Sequence, residues 1–181
     1  MNLPNRLTIT RIALVPVVVI LLQFSDPVWQ ALALVAFVAA SFTDWLDGYL
    51  ARKHQTVTNF GKFLDPVADK LLVLSTMIAL AGLGRFPAWV CIVVLFREIA
   101  VDGLRLVAVE QGRVIAAGKL GKIKTTLQML AIVAVMLGNW PFGAFPMDQV
   151  LMYAAVAMTL WSGVDYFIRN GEVLMQGGGA K

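Results

Sequence analysis

The stretch Val28–Arg52 reads VWQALALVAFVAASFTDWLDGYLAR. Its first part, Val28–Phe42, is almost wholly apolar. Its last part carries Asp44, Asp47 and Arg52, with no proline or paired glycines between the two parts. The apolar part alone is too short to cross a hydrocarbon layer of about 30 Å. Backbone N–H and C=O groups in lipid must pair within the segment, so the helix has to continue through the polar part. The reading is one long helix, dry at one end and charged at the other.

Five other stretches follow the same pattern. With their polar, helix-compatible extensions, the six expected spans are about 7–24, 28–52, 60–83, 87–110, 121–139 and 149–168. Turn and stop signals separate them: Ser25-Asp26-Pro27, then Gly82 and Gly84 with Pro87, then Gly138 through Pro146. If the spans alternate from a cytoplasmic N-terminus, every polar extension lands on the cytoplasmic side. Of the 15 Lys and Arg, Arg85 alone falls in an outer loop, a strong positive-inside bias. Trp29, Trp89 and Trp140 fall near the outer ends, where interfacial anchors belong.

Composition agrees. Among 181 residues, 59% are hydrophobic and 14% charged, and mean hydropathy is +0.77. A soluble domain averages roughly 45–50% apolar and ~25% charged. Disordered chains, disulfide-rich modules and ordinary soluble enzymes are excluded. The net charge of +4 suits an anionic membrane face or an anionic substrate, and on so apolar a chain these are preferred to nucleic acid. The single cysteine, Cys91, excludes an internal disulfide and reads as a small buried or lipid-facing hydrophobe. The first apolar stretch lacks a small-residue cleavage pattern and reads as a retained span. The expected organisation is one membrane domain over residues 1–170 and a flexible tail over 171–181, both ends cytoplasmic.

The chemistry concentrates where spans two and three meet. Asp44 and Asp47 are three apart, and Asp65 and Asp69 four apart, so each pair shares a helix face. A short connection makes the two helices antiparallel neighbours and turns both pairs toward one cleft. Four carboxylates at membrane depth need protons, basic partners or cations. All-oxygen ligands suit Mg²⁺ or Mn²⁺. Four aspartates can hold two such ions about 3.5–4 Å apart, a geometry used for phosphoryl transfer. Gly48 and Ala51 leave room beside the aspartates, and Arg52 supplies a donor for a phosphate or base.

The run Asp44-x2-Asp47-Gly48-x2-Ala51-Arg52-x8-Gly61-x3-Asp65-x3-Asp69 resembles the complete signature of the CDP-alcohol phosphotransferases, with all eight fixed positions filled. Asn5–Arg11 resembles the family's amphipathic lead-in. Arg97-Glu98-Ile99, Gly121–Met129 and Leu160-Trp161-Ser162 resemble the bacterial branch that acts on glycerol phosphate. The resemblance implies an all-α membrane protein of six transmembrane helices with an N-terminal interfacial helix, usually a homodimer. It implies two metals, Mg²⁺ or Mn²⁺, on Asp44, Asp47, Asp65 and Asp69, with Asp69 doubling as general base. It implies that Gly48, Ala51 and Arg52 contact the CDP part of the donor, with Asn5, Thr8 and Thr58 as further contacts.

The reaction so implied converts CDP-diacylglycerol and sn-glycerol 3-phosphate to phosphatidylglycerophosphate and CMP, at the cytoplasmic face of a bacterial inner membrane. The acceptor's phosphate needs cations. Arg105 and Lys122 are the first candidates, with Arg113 and Lys124 beside them. Glu98 and Asp102 are expected to orient Arg97 and Arg105 rather than to bind metal. His54, the only histidine, reads as an interfacial bystander. Other acceptors, namely phosphatidylglycerol, inositol phosphate or serine, would keep the fold and chemistry. An intramembrane prenyltransferase would need a larger bundle. A divalent-cation transporter would need polar groups along both halves of a path, and the outer half is dry.

Overall fold

Six helices follow one another in the computed structural model: α1 (Leu3–Leu22), α2 (Pro27–His54), α3 (Asn59–Gly82), α4 (Ala88–Glu110), α5 (Lys119–Met136) and α6 (Met147–Asn170). The structure describes the backbone of residues 3–54, 59–116, 118–138, 140 and 143–173. Side chains are described from 8 to 43 and from 66 onward within those ranges. No strand occurs among the described residues.

The helix ends follow local chemistry. Pro27 opens α2, where its missing N–H is no loss, and the Asp26 carboxylate accepts the Val28 N–H at 2.8 Å. Beyond α3, Gly84 takes φ +71°, and the Arg85 N–H turns back to the Leu80 carbonyl at 2.9 Å. That left-handed stop favours glycine. Pro87 and Pro146 stand at the N-caps of α4 and α6.

One apolar core joins all six helices in their dry halves. Val18 and Leu22 of α1, Phe37 of α2, Met77 and Leu80 of α3, Val90 and Val94 of α4, Ile132 of α5 and Met152 of α6 are all buried in it. Cys91 is buried there too, as a small hydrophobe. Trp29, Trp89 and Trp140 are exposed at the dry end. Trp89 stacks on Tyr153, with ring centroids 6.4 Å apart.

Arg85, to which the sequence assigned only a loop, is a clamp at the dry end. It donates to Gln30 Oε1 at 2.6 Å and to the carbonyls of Val135 and Met136 at 2.9 and 3.1 Å. The guanidinium thereby satisfies carbonyls at the end of α5 and ties α2, the α3–α4 turn and α5 together.

Among the described residues one helix, Met147–Asn170, is long and apolar enough to cross a membrane by composition. Within the described side chains α1 and α2 contribute the apolar segments Thr8–Leu22 and Pro27–Thr43. One expectation is corrected. No separate N-terminal interfacial helix is present among the described residues: Leu3–Leu22 is one continuous helix, because no glycine or paired breaker interrupts Asn5–Ile12. Past α6 the described chain continues to Val173, assigned from sequence to the tail. Val173 is buried against α4, and its carbonyl accepts a hydrogen bond from Gln111 at 2.8 Å. The residues beyond it lie outside the described ones.

Candidate active site

The polar halves of the helices meet at the end opposite Arg85. On α1, Thr8, Arg11, Val15, Val18 and Leu22 are buried at intervals of three or four residues, a single helix face. That face is dry from Val15 onward and polar at Arg11 and Thr8. Arg11, at 0% exposure, donates from Nη1 to Asp69 Oδ1 at 2.9 Å. A guanidinium cannot shed its charge, so full burial requires an anionic partner. Asp69 is that partner, and the contact fixes the carboxylate from the α1 side.

Lys70, the next residue on α3, lies about 100° further round the helix and faces α4 instead. Its ammonium pairs with Asp102 and lies 3.8 Å from Glu98 Oε2. Glu98 is the hub of a second cluster. Its Oε1 accepts from Lys124 of α5 and, at 3.2 Å, from Arg97 of its own helix. Lys124 and Glu98 are both buried. Arg97 lies flat against α6, where Gly163 makes the room: a Cβ there would stand 3.1 Å from Arg97 Cγ. Arg97 Nε is buried without a hydrogen-bond partner among the described residues. Gln128 of α5 donates to Thr159 of α6 at 3.1 Å, closing the polar layer toward the dry core.

Arg105 reaches a different partner. Its Nε donates to the Tyr166 hydroxyl of α6 at 3.0 Å, and its guanidinium carbon stands 5.5 Å from the ring centroid. Among the described residues, Lys70, Arg97 and Lys124 share the carboxylates Glu98 and Asp102, and Arg105 adds a cation held by Tyr166. This described cluster therefore carries more cations than carboxylates, which suits an anion.

The expected site residues divide by where they fall. Asp69 meets Arg11 of α1 as described. Thr8 is buried on α1, and Lys124 is buried on Glu98. Lys122 and Arg113 are exposed at the same end of the bundle. Of Asn5, Asp44, Asp47, Gly48, Ala51, Arg52, His54 and Asp65 only the helical backbone is described, and Thr58 lies outside the described residues. The expectation for Glu98 holds, since it carries Arg97. The expectation for Asp102 does not: it pairs with Lys70 rather than Arg105. An exposed pair three residues apart on one helix is worth only about 0.2–0.5 kcal/mol, whereas an ammonium arriving from a second helix at a half-buried position interacts more strongly. Arg11 and Lys70 were not assigned from sequence. For Arg11 the signal was there, because it continues the apolar stripe of α1.

Among the described residues no three Asp, Glu, His or Cys side chains cluster to hold a metal. Of the four signature aspartates only the Asp69 side chain is among those described. The donor chemistry fits a hard cation nonetheless. Four carboxylates at i, i+3 on α2 and i, i+4 on α3 offer oxygen ligands alone, the set that suits Mg²⁺ or Mn²⁺.

Comparison with known proteins bears on what these parts do. The profile of the CDP-alcohol phosphatidyltransferase family matches residues 1–161. A Bacillus subtilis protein named CDP-diacylglycerol–glycerol-3-phosphate 3-phosphatidyltransferase is 47% identical, over 96% of this chain and 97% of its own length. Proteins of the same name from Rickettsia typhi and Haemophilus influenzae are 38% and 36% identical, over 92% and 96% of this chain and 95% and 96% of their own lengths.

Proposed function

The chain belongs to the CDP-alcohol phosphatidyltransferase family and is a phosphatidyltransferase, and from that premise we propose that it moves the phosphatidyl group of CDP-diacylglycerol to sn-glycerol 3-phosphate. The products are phosphatidylglycerophosphate and CMP. The observation that carries this reading is the juxtaposition of two unlike groups at one end of the bundle. One is a carboxylate anchored by a buried arginine, and the other is a cluster that, among the described residues, holds more cations than carboxylates. Transfer to a phosphorylated alcohol needs both. The names of the relatives favour glycerol phosphate as that alcohol.

In this mechanism Asp69 accepts the proton of the acceptor hydroxyl. The freed oxygen attacks the phosphorus bound to diacylglycerol, and the bond to the CMP oxygen breaks. A carboxylate is a weak base, so its placement decides its use, and Arg11 supplies the placement. Asp44, Asp47, Asp65 and Asp69 would hold two Mg²⁺ or Mn²⁺ ions, whose charge would neutralise the donor pyrophosphate and the departing CMP. Gly48, Ala51, Arg52, Thr58, Asn5 and Thr8 receive the CDP part of the donor. Arg105, Lys122, Arg113 and Lys124 receive the acceptor phosphate, with Lys124 also serving as counter-ion to Glu98.

The same reading sets the six helices across a bacterial inner membrane, with both termini and the polar end toward the cytoplasm, and the chain as a homodimer. The gathering of Lys and Arg toward one end, with Arg85 as the exception, supports that orientation. The donor's acyl chains then stay in the inner leaflet while its headgroup reaches the polar layer.

CMP release by the purified protein with CDP-diacylglycerol and Mg²⁺ tests the proposal. The acceptors offered are glycerol 3-phosphate, inositol phosphate, serine and phosphatidylglycerol. Release with glycerol 3-phosphate alone is expected. Release with another acceptor instead would overturn the substrate assignment. No release with any of them, from folded protein that binds Mn²⁺, would favour cation transport.

A further inference from the structure

Arg105 differs from the other cations of the polar layer in how it is held. Lys70 is neutralised by Asp102, and Lys124 and Arg97 share Glu98. Arg105 has no carboxylate partner among the described residues. A neutral phenol holds it instead, through the one nitrogen nearest the side-chain stem, and the ring lies beneath the guanidinium. Both Nη groups lie beyond that anchor and have no hydrogen-bond partner among the described residues. Tyr166 itself is fixed, packed with Val101, Leu104, Ala108 and Val173. Arg105 is thus half-buried, fully charged, immobilised at Nε and unneutralised at its tip.

We propose that Tyr166 is a positioning residue of the acceptor site. It holds Arg105 so that the two Nη groups form a preset fork for two oxygens of the acceptor's phosphomonoester. This rests on the assignment of Arg105 to the acceptor phosphate made above. The physical basis is preorganisation. An arginine loses rotamer freedom when it closes on a ligand, and an anchor at Nε removes part of that loss beforehand. A neutral anchor also leaves the full charge for the ligand, which a carboxylate anchor would not. The bidentate fork matches phosphate oxygens in a way that a lysine ammonium does not. Tyr166 therefore acts on acceptor affinity, not on the donor or on the transfer step.

Steady-state kinetics of the full chain in detergent test this, with glycerol 3-phosphate and CDP-diacylglycerol varied separately. The variants are Tyr166→Phe, which keeps the ring and its packing, Arg105→Lys, which keeps the charge, and the two together. Tyr166→Phe is expected to raise KM for glycerol 3-phosphate about five- to tenfold, the scale of one hydrogen bond to a charged group. Its kcat, its KM for CDP-diacylglycerol and its melting temperature stay near wild type. Arg105→Lys raises the same KM at least as much, and Tyr166→Phe adds nothing on that background. Unchanged acceptor KM in Tyr166→Phe, with a raised one in Arg105→Lys, would overturn the positioning role and leave the acceptor site standing. An unchanged acceptor KM in Arg105→Lys would overturn both. A lower melting temperature and kcat at constant KM in Tyr166→Phe, or an equal effect of that change on the Arg105→Lys background, would mark a structural role and overturn the inference.

Discussion

Phe37 and Arg11 are both at 0% exposure in the same bundle, yet they are buried for different reasons. Phe37 belongs to an apolar core that needs only volume to be filled. Arg11 is buried with a carboxylate, Asp69, that meets it from another helix. The dry half holds together by packing and one clamp, Arg85. The polar half holds together by ion pairs that cross from helix to helix, and among the described residues its charges do not cancel. The lesson is that one set of six helices divides its labour along its length: the half without charge fixes where the charged half must meet.

Each prediction breaks one half and reads the other. The largest effect is expected from metal removal. Chelation with EDTA should abolish CMP release, and Mg²⁺ should restore it, while the dry core keeps the melting transition cooperative. Glu98→Ala comes next. It leaves Lys124 and Arg97 without their buried carboxylate and should destabilise the fold by about 3 kcal/mol, read as a lower melting temperature in detergent. Replacing Glu98 and Lys124 together by leucine and methionine should recover most of that loss, which separates the pair's cost from its absence.

A smaller loss, about 2 kcal/mol, is expected from Phe37→Ala. The cavity remains, and in the proposed membrane setting lipid tails solvate an exposed ring as well as the core does, so packing alone is lost. Both KM values should be unchanged in that protein. The smallest effect belongs to Gly163→Ala. The new methyl would stand 3.1 Å from Arg97 Cγ, so Arg97 must give way by a few tenths of an ångström. A two- to threefold rise in acceptor KM, with little change in melting, is expected; a large drop in melting temperature would place Gly163 in the packing account instead.

The helices were legible in the sequence because their ends are punctuated locally. Pro27, Gly84, Pro87 and Pro146 each act within one turn, and the observed bounds fall within a few residues of those expected. The aspartate pairs were legible for the same reason, since i, i+3 and i, i+4 spacing is a property of one helix. Contacts between helices were not. Arg11 and Asp69 are 58 residues apart, and Arg105 and Tyr166 are 61 apart. No local spacing relates them; only the packing of the dry core does. The error over Asp102 has the same origin, because spacing along α4 suggested Arg105 and could not foresee Lys70 arriving from α3. Six apolar stretches with charges at alternate ends did foresee that such partners would gather at one end.

The most direct test sets Asp69→Asn against Phe37→Ala, one substitution in each half, and measures CMP release from CDP-diacylglycerol with glycerol 3-phosphate and Mg²⁺. Loss of at least about a thousandfold in Asp69→Asn is expected, from protein that still melts cooperatively, with near-normal turnover in the less stable Phe37→Ala. Normal CMP release by folded Asp69→Asn would contradict the placement of the chemistry in the polar half.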